Sequence, residues 1–202
     1  MKRISILLII GLVILNSCGT TAKFNVGLVN VESPADAKQQ FGETKITSLV
    51  EEGISKYNYE DDYIKIKWSV GIKNLSFTIT NKTNSSIKIL WDEMSYIDHM
   101  NISRRVMHSG VKYINRNESQ PPTIVARNST VVDLIIPTDN IYFASGQYGG
   151  WQERPLFKGD PNTFIGKTVK VLFPMSIENI TNEYVFEFKI EDIVKKVKYL
   201  IL

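Results

Sequence analysis

The stretch that decides the fold is residues 64–72, which read Ile64-Lys65-Ile66-Lys67-Trp68-Ser69-Val70-Gly71-Ile72. Apolar side chains alternate strictly with polar or small ones along it. A period of two places five apolar side chains on one face of an extended chain. The stretch therefore predicts a β-strand with one buried face.

The pattern continues on the carboxyl side of this strand. The alternation resumes over residues 75–79 in the opposite phase, which predicts a bend or bulge at residues 73–74. Residues 81–85 have turn composition, and apolar residues then alternate again over residues 87–91. We therefore expect residues 75–91 to form a hairpin.

The rest of the chain is also rich in strand patterns. Only Ala35–Phe41 has helical character, with Ser33 as a possible N-cap and Pro34 at the first helical position. Many short strands with almost no helix favour an all-β protein, an antiparallel β-sandwich. Further strands are predicted at Gly110–Ile114, Thr123–Ala126, Thr130–Ile136, Lys167–Phe173, Tyr184–Ile190 and Val194–Leu202.

The segment from Phe77 to Trp91, in which Asn81 closes one strand and a short polar turn leads to the next, resembles the immunoglobulin-like domains of exported bacterial proteins. The resemblance covers one hairpin and the general rhythm of the strands. It implies an immunoglobulin-like sandwich with a short N-terminal helical segment, and it implies no activity.

The amino terminus has the features of an export signal. Lys2 and Arg3 precede an apolar run from Ile4 to Leu15. A run of about a dozen residues is too short to span a bilayer as a helix, which takes about 20 residues. It matches the apolar region of a signal peptide.

The apolar run ends at Leu15-Asn16-Ser17-Cys18, which resembles the lipobox of bacterial lipoproteins, although Asn16 departs from its commonest pattern. The resemblance implies a signal peptide over residues 1–17, lipid attachment at Cys18, a tether over residues 18–23 and one domain over residues 24–202. The alternatives are an ordinary thiol after an uncleaved anchor and a buried core helix. The residue after Cys18 is Gly19, and an aspartate at this position would resemble an inner-membrane retention signal. We therefore expect an outer-membrane lipoprotein that faces the periplasm.

Charge and cysteine content exclude several functions for the mature chain. Cleavage after residue 17 would leave 22 basic against 21 acidic residues, without the basic cluster that nucleic-acid binding requires. Cys18 is the only cysteine, so the domain would have no disulfide and no cysteine-based metal or redox site. We expect no cofactor and a membrane contact through the lipid.

Residues 92–108 carry the densest set of reactive side chains. His99 and His108 could act as bases with a carboxylate from Asp92, Glu93 or Asp98. The stretch also contains methionines, and copper accepts both methionine and histidine as ligands. The alternative is that the methionines fill gaps in the core and the polar residues line a loop.

Residues 142–161 combine aromatic side chains with glycines. Aromatic rings on such a loop can bind sugars or anchor a protein partner. The alternative is that the rings pack back onto one end of the sandwich. The candidate ligand-binding residues are Tyr148, Trp151 and Arg154.

Two functions follow from these patterns. The first is a non-enzymatic binding or assembly module of the cell envelope, with an envelope protein or a glycan as partner. The second is a small hydrolase or metal-handling protein that uses residues 92–108. The second predicts that His99 and His108 lie close together with a carboxylate in hydrogen-bond reach.

Overall fold

The computed structural model describes the backbone of residues 18–32, 42–51 and 54–200, and the side chains of residues 22–32, 42–50 and 55–194. These residues form strands joined by turns, together with short 3-10 helices of three or four residues. The paired strands are antiparallel. The all-β prediction is confirmed. Within the described ranges, no helix has the length and apolar character needed to cross a bilayer.

The strands are numbered in chain order. They are β1 Cys18–Glu32, β2 Lys45–Glu51, β3 Ile54–Glu60, β4 Ile64–Val70, β5 Leu75–Asn81, β6 Ile87–Ile89, β7 Ser95–Ile97, β8 Ser103–Met107, β9 Thr123–Val125, β10 Thr130–Pro137, β11 Ile141–Ala144, β12 Gly150–Glu153, β13 Thr168–Ile177 and β14 Ile180–Leu200. The 3-10 helices are Trp91–Glu93, Tyr113–Asn115, Thr138–Asn140 and Pro161–Phe164.

Twelve of the described strands belong to one sheet. Its order is β1-β14-β13-β7-β8-β10-β5-β4-β3-β2, and β6 joins β13 to β9 beside this path. The Ser55 hydroxyl on β3 donates a hydrogen bond of 2.8 Å to Asn25 Oδ1 on β1. The sheet therefore curves until its two ends lie near each other. Strands β11 and β12 form a separate hairpin.

Aromatic rings fill the interior of the curved sheet. Trp68 on β4 is fully buried, and its ring lies 5.7 Å from that of Phe173 on β13 and 5.5 Å from that of Phe188 on β14, both edge to face. Such pairs contribute about 0.5–1.5 kcal/mol each beyond the area that they bury. The strand predicted over residues 64–72 is confirmed over Ile64–Val70 with its apolar face inward, and Ile72 lies beyond its end.

The bend predicted at residues 73–74 is confirmed, because the chain bends at residues 72–73, and the alternative, a bulge, is not present. The Gly71 N–H donates to the Asn74 carbonyl at 2.8 Å, which closes a tight turn, and β4 pairs with β5 directly. The alternation changes phase because the chain reverses at this turn. Trp68 thereby lies opposite Phe77, and both side chains are buried.

The hairpin predicted over residues 75–91 is wrong. Strand β5 pairs with β4 and β10, whereas β6 pairs with β9 and β13. The buried Asn81 amide donates to the carbonyls of Ser85 and Val125 at 2.7 and 3.0 Å. These bonds hold the chain where it crosses between two regions of the sheet, so the polar turn is a crossover.

Three other predictions have different outcomes. The strand predicted at Gly110–Ile114 is wrong, because the 3-10 helix Tyr113–Asn115 occupies its end. The strands predicted at Tyr184–Ile190 and Val194–Leu202 belong to one continuous strand, β14, which runs from Ile180 to Leu200. The predicted helix at residues 35–41 and its cap at residues 33–34 lie outside the described residues, as do residues 1–17.

Residues 18–23, interpreted from the sequence as a tether, form the first part of β1. Cys18 lies opposite Leu200 in the register of β14, and Lys23 lies opposite Lys195. The Ala22 side chain is buried. The backbone is therefore paired from the candidate lipid-bearing residue onward.

A buried carboxylate connects β14 with the turn between β3 and β4. Asp61 Oδ2 accepts hydrogen bonds from the hydroxyls of Tyr184 at 2.9 Å and Tyr59 at 3.2 Å. Its Oδ1 accepts from the N–H groups of Tyr63 and Ile64 at 2.8 and 2.7 Å. Burial raises the pKa of Asp61 and outweighs the lowering effect of these donors. We call these four donors and the carboxylate the Asp61 cluster.

Candidate functional site

The tight turn between β7 and β8 is built on Asp98. Its Oδ1 accepts hydrogen bonds from the N–H groups of Met100 at 2.9 Å and Ile102 at 3.0 Å. Asn101 adopts a left-handed conformation with φ of 60°, which asparagine tolerates better than most residues. The turn fixes the position of His99 between Asp98 and Met100.

Arg104 on β8 links this turn to the 3-10 helix Thr138–Asn140. Its Nη2 lies 2.8 Å from Asp98 Oδ2, and its Nη1 lies 2.7 Å from Asp139 Oδ2. Burial by itself raises the pKa of Asp98. Hydrogen bonds from the Ile102 and Met100 N–H groups and from Arg104 more than offset that effect, so the pKa lies below its ordinary value.

The segment after β12 forms the facing wall. The Arg154 N–H donates to the Asn140 carbonyl at 2.8 Å, and the Leu156 N–H donates to the Ile72 carbonyl at 2.9 Å. The Arg154 guanidinium lies 4.3 Å from the centre of the Tyr142 ring. The backbone bonds fix this segment while the Arg154 side chain stays exposed.

Between these elements lies an open cavity of about 320 Å³. Its lining residues are Tyr96, Asp98, His99, Met100, Arg104, Asp139, Asn140, Arg154, Pro155, Leu156 and Lys158. Ligand sites of small molecules start at about 300 Å³. The cavity is therefore large enough for a ligand of monosaccharide size. We call it the β7–β8 cavity.

Two buried polar atoms at this cavity have no hydrogen-bond partner. They are the hydroxyl of Tyr96, whose side chain is 2% exposed, and Nδ1 of His99. Burial raises the pKa of Tyr96. Burial, with the nearby Lys167 charge, lowers the pKa of His99. Both groups are therefore neutral at pH 7, and each has a hydrogen-bonding capacity that the fold does not use.

The predicted aromatic loop is a hairpin. Phe143 on β11 lies opposite Trp151 on β12, and Tyr148 lies in the turn between them. Tyr148 is 92% exposed and Phe143 is 61% exposed. The two rings give the hairpin an exposed aromatic surface.

Trp151 is half-buried at the base of this surface. Its ring lies 6.5 Å from the ring of Tyr113 and 5.0 Å from the Arg116 guanidinium, and it packs against the small cluster of Met107, Ile136 and Ile141. Hydrogen bonding to Glu153 raises the pKa of Tyr113 to about 12. Of the three predicted ligand residues, Tyr148 is on the surface, Trp151 supports the hairpin and Arg154 lines the cavity.

The two histidines lie apart. His99 precedes β8 and His108 follows it, and the five steps along the chain from Ser103 to His108 span roughly 16 Å in an extended strand. The paired arrangement that the hydrolase hypothesis requires is not present. In the described ranges, no three His, Cys, Asp or Glu side chains are arranged to hold a metal ion.

His108 has structural partners that the sequence did not indicate. Its ring stacks on buried Trp91 with centroids 4.3 Å apart, and its Nδ1 lies 3.0 Å from Asp133 Oδ2. The Ser109 hydroxyl donates to the other oxygen of Asp133 at 2.7 Å, so it is not aligned with the histidine as a nucleophile. Burial raises the pKa of Asp133, but these hydrogen bonds lower it overall.

The carboxylate of Asp92 also has a structural role. It accepts hydrogen bonds from Arg105 at 2.7 Å and from the Gln120 N–H at 3.1 Å.

Asp133 could have been found from the sequence, because it is the one charged residue inside the apolar run of β10. The sequence gave no such signal for the cavity residues Tyr96, Asp139 and Lys158, because only the folding of distant segments brings them together.

No protein-family model matches the chain, and neither a curated protein nor a solved structure is significantly similar to it. The arguments about function therefore rest on the chain's own residues.

Proposed function

We propose that this chain is a lipid-anchored protein of the bacterial cell envelope and a non-enzymatic binding or assembly module. The observation that carries the binding role is the exposed aromatic hairpin, with Phe143 at 61% and Tyr148 at 92% exposure. Exposed rings on a rigid hairpin offer contact area with little loss of conformational entropy on binding. The proposed partner is an envelope protein or a glycan.

The anchor is supported by the basic start, the apolar run and the lipobox ending at Cys18. Because β1 is paired with β14 from Cys18 onward, a lipid on this residue would hold the domain close to the bilayer. Gly19 supports sorting to the outer membrane, with the domain facing the periplasm.

The finer fold is part of the proposal. Contacts of Trp68 on β4 with Phe173 and Phe188 on β13 and β14 support two layers packed face to face, as in an immunoglobulin-like sandwich. The helical segment at residues 35–41 rests on the sequence pattern alone.

Metabolic labelling with a radioactive fatty acid tests the anchor. We expect wild-type protein to incorporate the label and to fractionate with the outer membrane. We expect Cys18→Ser to do neither, because serine offers no thiol for the thioether bond. Label on Cys18→Ser would contradict the anchor.

Affinity capture from envelope extracts tests the hairpin. A Phe143→Ala/Tyr148→Ala variant is expected to lose partners that wild-type protein recovers, because both rings are exposed and the change leaves the core intact. The matched control is Val132→Ala, which shortens an exposed apolar side chain on β10. Equal recovery by the hairpin variant and wild-type protein would remove the hairpin as the binding surface.

A further inference from the structure

The β7–β8 cavity has hydrogen-bonding groups that the fold itself does not use. The Tyr96 hydroxyl and His99 Nδ1 are buried without a partner. An unsatisfied buried polar group costs about 1–3 kcal/mol, so such groups are uncommon unless a ligand or water completes them. Two of them beside one cavity indicate a place where hydroxyl groups bind.

The charges at the cavity favour an anion. Arg104 is matched by Asp98 and Asp139. Arg154 and Lys158 also line the cavity, and within the described part of the chain neither forms an ion pair with a carboxylate. The lining residues thus carry one positive charge in excess.

The wall beside these cations is partly apolar. Pro155 and Leu156 are half-buried and line the cavity between Arg154 and Lys158. A sugar ring presents C–H groups on its faces and hydroxyl groups at its edge. The cavity offers surfaces of both kinds.

We propose that the β7–β8 cavity binds a small hydroxylated anion of the uronic acid type. The carboxylate is held by Arg154 and Lys158, and ring hydroxyls bond to the Tyr96 hydroxyl and His99 Nδ1. This inference goes beyond the proposed function, because it names a ligand class for a cavity that is separate from the aromatic hairpin.

Titration calorimetry of the full-length protein in detergent tests the proposal, with glucuronate as the probe. Glucose supplies the hydroxyls without the charge, and acetate supplies the charge without the hydroxyls. We expect glucuronate to bind at least about tenfold more tightly than either, since a charge-assisted hydrogen bond contributes about 1.5–3 kcal/mol and 1.4 kcal/mol is tenfold.

Variants locate the site. Arg154→Gln and Lys158→Gln are each expected to weaken glucuronate binding about tenfold, and Tyr96→Phe about fivefold, because each removes one hydrogen-bonding group. The matched control is Arg127→Gln in the turn between β9 and β10, which lies outside the cavity and should bind glucuronate as wild-type protein does.

Three results would overturn the proposal. The first is that glucuronate binding is undetectable, which leaves the cavity to water. The second is that glucuronate binds with the same affinity as glucose or acetate. The third is that Arg127→Gln weakens glucuronate binding as much as Arg154→Gln does. The Phe143→Ala/Tyr148→Ala variant should bind glucuronate normally. If glucuronate fails to bind while that variant still loses its partners, the ligand assignment is wrong and the proposed function stands.

Discussion

Around Asp61 each buried polar side chain has a hydrogen-bond partner, whereas at the β7–β8 cavity two buried polar groups have none. Tyr184 and Tyr96 make the difference concrete, since both are at most 2% exposed. The Tyr184 hydroxyl donates to Asp61, and the Tyr96 hydroxyl bonds to nothing. A satisfied buried cluster stabilises a fold, whereas a buried polar group without a partner costs free energy.

In the aromatic interior, a buried polar atom without a hydrogen-bond partner does not line the β7–β8 cavity. Trp68 Nε1 is also buried without a partner, but it lies among the rings of Phe77, Phe173 and Phe186. The Trp68 side chain is fully buried. Tyr96 and His99 differ because their unpaired atoms belong to side chains that line an open cavity.

The largest effect is expected from Asp61→Ala. The change leaves two buried tyrosine hydroxyls and two backbone N–H groups without their acceptor, so we expect a loss of about 4 kcal/mol in the free energy of unfolding. Urea denaturation measures it. The control is Asp62→Ala, which alters the exposed neighbour and should stay within about 0.5 kcal/mol of wild-type protein. Equal losses for the two variants would show that the Asp61 cluster is not stabilising.

A smaller effect is expected at the ion pairs of the cavity wall. Arg104→Gln removes charged hydrogen bonds to Asp98 and Asp139. We expect a loss of about 2 kcal/mol in the free energy of unfolding at pH 7. The loss is not larger because Arg104 is partly exposed and water screens its charge. Arg127→Gln provides an exposed arginine as control.

The loss should depend on pH. The folded pKa of Asp98 is lowered, so its ionised form contributes stability above its unfolded pKa of about 3.9 and loses it as pH falls through the folded value. Urea unfolding of wild-type protein and Arg104→Gln should therefore converge below about pH 4. A gap that stays constant down to pH 3 would show that Asp98 is not involved.

Strict alternation over at least five residues was sufficient to predict β4, and apolar runs predicted β9, β10 and β13. Strands β7 and β8 have three and five residues, too few for alternation to stand out, so their region was interpreted as a loop. The partners of β5 and β6 could not be predicted, because the crossover at Asn81 depends on a carbonyl 44 residues away.

For the site, composition indicated Arg154 but not its surroundings. The cavity forms where the β7–β8 turn, the helix at residues 138–140 and the segment at 154–158 meet, and these contacts are long-range. Histidine and carboxylate content at residues 92–108 suggested catalysis or metal binding only as an alternative function. The structure instead places His108 beside Asp133 and pairs Asp98 with Arg104, and these contacts hold strands and turns together.

The comparison of the two tyrosines is the most direct test of the claim that the cavity holds groups the fold does not use. Tyr184→Phe and Tyr96→Phe each remove one oxygen from a fully buried ring, and urea unfolding without added ligand measures both. Tyr184→Phe should lose about 1 kcal/mol, because a hydrogen bond to Asp61 is removed. Tyr96→Phe should unfold with the wild-type free energy or up to about 1 kcal/mol more, because an unpaired buried hydroxyl is removed. A Tyr96→Phe loss as large as that of Tyr184→Phe would mean that the fold already satisfies the Tyr96 hydroxyl, and would contradict the account.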